Sequence, residues 1–385
     1  MMNDFCFYNP VKVYFGKDHL EHSLTDSIKQ YGTRVLLVYG GDSVKRIGLY
    51  DTIVGLLPDL ELYELGGIEP NPDITSVRKG QELCVKHKID VILAVGGGSV
   101  IDAAKWIAAS ACVDFDPWDF FSKKTTIDNA LPIITILTIA ATGSEMNCGG
   151  VISNRELCKK IGRSSPLLYP KVSFLNPEYS FSVGKYQTAC GAVDILSHVM
   201  EVYFNKQESL KMLDGIMESI MKTVIEYGVK AYEHPDDYEA RANLMWAASW
   251  AINGFINGPV RQAWNCHTIE HELSARYGIT HGHGLAILLP RWIRYCYDAD
   301  CRDRYIAFAE NVLGIERCDD IAEAISDRLS KLFFEDLGLV PTLGELGVPK
   351  EDIKNISEVL CASGPVSGFA QLKEKDVFEI LSMCY

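Results

Sequence analysis

The sequence predicts an α/β N-terminal domain on a largely parallel sheet, residues 1–180, followed by an all-helical C-terminal domain, residues 181–385. Three observations support this. Up to about residue 180, short β-rich runs alternate with helical patterns, which is the rhythm of βαβ units. Beyond that point the β-rich runs nearly vanish and long helical stretches follow. Between them, at 91–111, a buried strand runs through three glycines directly into a helix.

In order, RVLLVYG at 34–40, LELYELGG at 60–67, DVILAVGGG at 90–98 and LPIITILTI at 131–139 are the expected strands. Helical patterns then cover 208–232, 235–256, 262–276 and 318–336. No Gly/Ser/Pro-rich linker separates the halves, so close packing with a ligand cleft between them is expected. The longest apolar run, ALPIITILTIAA at 130–141, is well short of the roughly 20 residues that span a bilayer.

At 385 residues, 48% hydrophobic and 23% charged, the chain has the composition of a soluble globular protein with room for two domains. A net charge of −14 argues against a general nucleic-acid or anionic-membrane surface, while leaving room for one anionic cofactor in a local pocket. The 12 cysteines are scattered without a C-x-x-C pair, and MMNDFCFYNP has no basic region followed by an apolar core. Reduced thiols in a cytoplasmic protein without a signal peptide are therefore expected. Cys266, beside His267, reads as a buried packing residue.

The turn at 91–111 reads VILAVGGGSVIDAAKWIAASA. Gly96, Gly97 and Gly98 let backbone N–H groups approach a phosphate, Ser99 adds a hydroxyl, and the helix presents its positive end. It is neither G-x-G-x-x-G nor a Walker motif. Asp102 is counted with this turn; the plainer reading makes it and Lys105 solvated helix residues on a packing turn. A second turn, VYGGDSVKRIG at 38–48, offers Gly40, Gly41, Ser43, Lys45 and Arg46 to a phosphate monoester, or is an ordinary helix start. TIAATGSEMN at 138–147 places small and hydroxyl residues after a buried strand, where backbone must lie close to a flat ligand, or forms a polar loop.

Chemistry concentrates in WNCHTIEHELSARYGITHGHG at 264–284, which holds four of the chain's nine histidines. His267 and His271 are four apart and share a helix face. His281 lies 14 residues beyond His267, about 21 Å along an unbroken helix. The segment must therefore turn back, and Tyr277-Gly278 is the expected break, with glycine in the left-handed conformation. Upstream, TACGAVDILSHVMEVYF at 188–204 sets Asp194 and His198 four apart in an apolar helical pattern. A buried lone carboxylate needs a partner such as a cation. One carboxylate with three imidazoles suits one divalent ion of borderline softness, Fe²⁺ or Zn²⁺. The alternative is an Asp–His hydrogen bond and satisfied helical histidines. Glu201, a turn on, reads either as an acceptor orienting a ligand histidine or as an exposed acid.

Taken in order, GGGSVIDAAK, ATGSE, GAVDILSH and HTIEHELSARYGITHGHGLAILLP resemble the iron-containing alcohol dehydrogenase family, especially its butanol-dehydrogenase and broad aldehyde-reductase branch. The likeness runs along most of the chain. It implies a dinucleotide-binding α/β domain, a helical metal domain and a homodimer. It also implies Asp194, His198, His267 and His281 as metal ligands, and His271 near the nicotinamide and substrate. Gly97, Gly98, Ser99, Thr138, Thr142, Asn71 and Lys160 would line the cofactor.

Three positions depart from the family pattern. Asn176 stands where an acidic residue commonly precedes the proline, and Gly184 where a proline is common; both bear on loop rigidity. Asp42 stands where NADP-using relatives resemble Gly-Gly-Gly-Ser-x-Lys, and a carboxylate there would bond a ribose hydroxyl but repel a 2′-phosphate. Lys45 and Arg46 pull the other way, and on balance NADP(H) is favoured over NAD(H). The expected reaction is hydride transfer between NAD(P)H and a short-chain aldehyde or primary alcohol such as butyraldehyde or butanol. The alternatives are a glycerol or polyol dehydrogenase or a dehydroquinate-synthase-like lyase on the same plan, or a non-catalytic metal- or nucleotide-binding sensor. Turnover of butyraldehyde separates them.

Overall fold

The computed structural model describes residues 3–206, 210–260 and 264–385. The β-branched runs form β1 (Lys12–Phe15), β2 (Arg34–Tyr39), β3 (Glu61–Leu65), β4 (Val91–Gly96), β5 (Ile133–Leu137) and, after the hairpin β6 (Gly149–Asn154) and β7 (Lys159–Ser164), β8 (Val172–Leu175). Six of these make one parallel sheet in the order β1-β8-β5-β4-β2-β3, while β6 and β7 pair with each other, antiparallel. The central strands read as unbroken apolar runs because both faces are covered. Leu36, Val38, Ile92 and Ala94 enter the core on one face, and Val35, Leu37, Val91 and Leu93 that on the other.

Helices α1 (His19–Lys29), α2 (Ser43–Arg46), α3 (Leu49–Leu56), α4 (Ile74–His87), α5 (Gly98–Ser110) and α6 (Asp119–Ser122) belong to this unit. Nearly every residue of α5 is buried, which accounts for its small residues: alanines let it sit close over the sheet. The chain winds from β2 outward to β3, then crosses to the other side of β2 for β4. This is a topological switch point, and the crevice between the carboxyl ends of β2 and β4 is where ligands bind in such sheets.

The remaining helices are α7 (Lys185–Tyr203), α8 (Lys211–Glu233), α9 (Tyr238–Ala251), α10 (Asn265–Tyr277), α11 (His281–Tyr295), α12 (Arg302–Phe308), α13 (Ile321–Ser330), α14 (Asp352–Cys361) and α15 (Glu374–Met383). The helical unit comprises Gly184–His234 and Trp250–Tyr385, joined by the stretch up to Phe7, whose ring meets Phe255 edge-on at 5.5 Å. The α/β unit spans Tyr8–Val183 and also takes Pro235–Ser249. The boundary near 180 thus lies at 183/184, but most of α9 sits with the sheet. Met245 is in the α/β core, Trp246 meets Phe15 edge-on at 5.6 Å, and Arg241 donates to the carbonyl of Val183 at 3.2 Å. A helical pattern shows which face is apolar but not which core will cover it.

Candidate metal centre and nucleotide cradle

Helix α7 presents Asp194, His198 and Glu201 along one face, at i, i+4 and i+7. Helix α10 begins opposite them and ends at Gly278, whose φ of +67° is the left-handed turn that a Cβ would oppose. The chain reverses there, and His281 opens α11. The His281 and His267 rings come within 5.1 Å between centroids, and those of His267 and His198 within 4.8 Å. Gly282 makes this approach possible, since a Cβ there would lie 2.0 Å from the carbonyl oxygen of Cys190 on α7.

Nε2 of His198 and Nε2 of His281 lie 3.7 and 3.6 Å from Oδ1 of Asp194. Ligating atoms of Asp194, His267 and His281 all fall within 4.8 Å of one another. Nε2 of His267 is buried and has no hydrogen-bond partner among the described residues. Such a group costs about 1–3 kcal/mol, which a cation would offset. The donor set of one carboxylate and three imidazoles therefore fits a divalent ion. Burial, reinforced by the neighbouring His267 and His281, holds His198 well below its usual pKa, in the neutral form a ligand needs. Burial also opposes charge on His267, but Glu201 together with Asp194 and Glu270 outweighs it and the net shift is upward.

Glu201 is buried, which removes the exposed-acid reading. Its oxygens accept from the backbone N–H groups of Cys266 at 2.7 Å and His267 at 3.2 Å, and contact Nδ1 of His267. It thus caps α10, whose own N-cap residue Trp264 supplies no side-chain bond, and turns Nε2 of His267 away from itself. Glu270 stands in the same relation to Nδ1 of His281 and also contacts Ser274. Sequence reasoning passed over Glu270; its one signal is a carboxylate three residues after His267 on a helix otherwise committed to the site. His271 is partly exposed, with its ring 5.4 Å from that of His281. The fourth histidine of the stretch, His283, is a buried core residue between Tyr186 and the carbonyl of Val340, at 3.1 and 3.0 Å. Cys266 is fully buried, and burial drives its thiol pKa far up.

In the α/β unit, the turns predicted to hold phosphate flank the switch point: Gly40 and Gly41 follow β2, and Gly97, Gly98 and Ser99 follow β4. A Cβ at Gly97 would lie 2.1 Å from Ile139, and one at Gly98 2.2 Å from Thr142. These glycines hold the loop after β5, with Thr138 and Thr142, tight against the start of α5. Asn71 takes a left-handed φ of +53°, and the next residue, Pro72, accepts at 2.8 Å from the N–H of Ser153 on the hairpin that also holds Lys160.

Asp102 is placed differently from the rest. Both its oxygens are engaged within the protein, by the hydroxyl of Ser144 at 2.6 Å and the N–H of Val151 at 2.8 Å. Lys105 is fully buried and donates to Ser144, Asn147 and the carbonyl of Gly149 at 2.8, 2.9 and 2.6 Å. Neither is a solvated helix residue: together they tie α5 to the loop after β5. Burial pushes the Lys105 ammonium down to about 8 and raises the Asp102 carboxyl. At the other turn Asp42, Ser43 and Lys45 are exposed, and the Lys45 ammonium sits 5.2 and 4.9 Å from the ring centroids of Tyr39 and Tyr50. Both tyrosine hydroxyls donate to Glu64, at 2.9 and 2.6 Å.

Residues 10–177 match the iron-containing alcohol dehydrogenase family, and residues 188–385 the C-terminal part of the Fe-containing alcohol dehydrogenase family. The chain belongs to this family. Among its members, NADH-dependent butanol dehydrogenase A of Clostridium acetobutylicum is 44% identical over 100% of both chains. The NADPH-dependent aldehyde reductase YqhD of Escherichia coli is 37% identical over 91% of each. The crystal structure of NADH-dependent butanol dehydrogenase A from Thermotoga maritima superposes with a TM-score of 0.94 at 38% identity, covering 100% of this chain and 99% of that one. Against the family pattern, Asn176 does an acid's local work: its side-chain oxygen accepts from the N–H of Glu178 at 3.0 Å, capping the turn after β8. Gly184 is the N-cap residue of α7, with φ −65°.

Proposed function

We propose that this iron-containing alcohol dehydrogenase interconverts a short-chain aldehyde and its primary alcohol, butyraldehyde and butanol being the test pair, with NAD(P)H as hydride source and one divalent metal, Fe²⁺ or Zn²⁺, per chain. The observation that carries it is the convergence of Asp194, His198, His267 and His281 with a buried Nε2 on His267 that has no hydrogen-bond partner among the described residues. When bound, the cation supplies Lewis-acid polarisation of a carbonyl, and the nicotinamide supplies the hydride.

The rest falls to the chain. Asp194 and three neutral imidazoles leave a divalent ion with a net local charge of about +1, which favours an oxygen anion. To His271, partly exposed one turn after His267, we assign the passage of a proton between the substrate oxygen and solvent. Gly97, Gly98 and Ser99, with Thr138, Thr142, Asn71 and Lys160, would receive the dinucleotide, the backbone N–H groups at the start of α5 facing its phosphates. Asp102 supports this cradle from behind, because both its oxygens are taken.

Between the two nucleotides, NADH is the better supported. The residues that favour NADPH are Ser43, Lys45 and Arg46. Lys45 is held over two tyrosines anchored on Glu64, while Asp42 stands exposed with no side-chain capping bond of its own. An exposed carboxylate suits a ribose 2′-hydroxyl and opposes a phosphate. The 44% identical relative bears an NADH-dependent name and the 37% identical one an NADPH-dependent name. We place the enzyme in a reducing, cytoplasmic setting as a homodimer, a state that light scattering would check.

The test is steady-state turnover of C2 to C6 aldehydes and polyols with NADH and NADPH, on protein reconstituted separately with Fe²⁺ and Zn²⁺. Reduction of butyraldehyde by wild type, lost in His267→Ala together with the metal, supports the reading. A polyol turned over in preference moves the chain to the polyol branch, and no turnover with any of them makes it a sensor.

A further inference from the structure

Glu270 has no exposed surface; one carboxylate oxygen meets Nδ1 of His281 and the other the Ser274 hydroxyl. A buried carboxylate costs several kcal/mol unless compensated. The Ser274 hydroxyl and the His281 imidazole N–H supply part of that compensation. The other nitrogen of that imidazole, Nε2, faces Asp194 at 3.6 Å. His281 thus lies between the Glu270 carboxylate at Nδ1 and Asp194 at Nε2.

His281 also needs restraint more than its companions. His198 and His267 sit inside helices and are buried, whereas His281 is the first residue of α11, follows the reversal at Gly278, and keeps 20% of its side chain exposed. No preceding turn limits its rotamer. Space for the Glu270 side chain is made by Gly284, where a Cβ would lie 2.8 Å from Cγ of Glu270.

We propose that Glu270 is a positioning residue of the metal centre. By accepting from Nδ1–H of His281 it selects the tautomer that presents Nε2 to the ion, fixes the ring plane, and adds negative charge behind the ligand. Glu201 does the same for His267, so two of the three imidazoles are backed by carboxylates. His198 is not: its Nδ1 is buried with no hydrogen-bond partner among the described residues. Glu270, His271 and His281 also lie close enough together to suggest a second ion, but the Glu270 oxygens are already engaged by Nδ1 of His281 and the Ser274 hydroxyl.

The proposal rests on the metal-centre reading, and the experiment separates the two. Apo protein is titrated with Zn²⁺ against a chromogenic chelator, and with Co²⁺ for its visible bands, for wild type, Glu270→Gln, Glu270→Asp and His267→Ala, each checked for wild-type far-ultraviolet circular dichroism. Glu270→Gln should weaken Zn²⁺ binding about 10- to 100-fold and alter the Co²⁺ bands, with Glu270→Asp in between. Wild-type affinity and bands in both Glu270 variants would overturn the proposal while leaving the centre standing. Failure of wild type to bind either ion, or full binding by His267→Ala, would overturn the centre and the proposal with it. Should Glu270→Gln fail to fold, Glu270→Asp decides on the same criterion, and a purely structural Glu270 would lower the melting temperature without moving the bands.

Discussion

At Gly282 a single hydrogen atom decides whether α7 and α11 can meet. A methyl group would sit 2.0 Å from a backbone oxygen, which cannot swing aside as a side chain can. Gly282→Ala should therefore cost at least the roughly 1–3 kcal/mol of an overpacked core and separate His281 from Asp194. The expected result is a lower melting temperature together with lost metal binding; normal metal content would show that the helices part without disturbing the site. At the nucleotide turn, Asp42→Gly should move the NADPH/NADH ratio of kcat/KM toward NADPH by about tenfold, or about 1.4 kcal/mol. An unchanged ratio would place Asp42 away from the ribose. Lys105 gives a pH signature. Its ammonium is depressed to about 8 in the folded chain from an ordinary value of 10.5. Between those limits the unfolded chain binds more protons than the folded one, so this residue's contribution to stability grows as pH rises through the window and is lost as pH falls toward 8. The melting-temperature difference between wild type and Lys105→Met should thus shift in favour of wild type from pH 8 to pH 10; a flat difference would mean that Lys105 is not buried as a cation.

At the scale of elements, legibility followed the strength of local signals. The two i,i+4 pairs and the glycine at 278 were enough to derive two helices and a reversal, because 3.6-residue periodicity and a left-handed C-cap act within a few residues. The hairpin of β6 and β7 escaped notice. GGVISN and KKIGRS are short and mixed in polarity, and β6 is also tied at Ser153 to the carbonyl of Pro72, distant in sequence. Strands β1 and β8, four residues each, were missed because such a length scarcely shows a period. The cap at Asn176 is a testable element: Asn176→Asp should be nearly neutral, whereas Asn176→Ala should lose about 1 kcal/mol of stability. An equal loss in both would point to packing in place of the cap.

For the whole molecule, the four residues of the proposed metal centre all lie in the helical unit, so ion binding there should stabilise that unit by mass action. A free metal concentration 100 times Kd adds about 2.7 kcal/mol. Calorimetry with and without chelator should show a lower transition on metal removal, and identical traces would argue that the ion is not bound by the folded chain. By itself the sequence determined the two-domain order, the covered parallel sheet, the glycine turns after β2 and β4 and the residue types able to hold a divalent ion, because these follow from composition, period and the conformational freedom of glycine. Only the tertiary structure decided that α9 joins the sheet, that Asp102 and Lys105 act as buried ties, and that Glu201 and Glu270 stand behind His267 and His281. The reason is physical: a carboxylate three or seven residues along a helix shows its azimuth in the sequence, but its burial and its partner depend on which other helix comes to lie against that face.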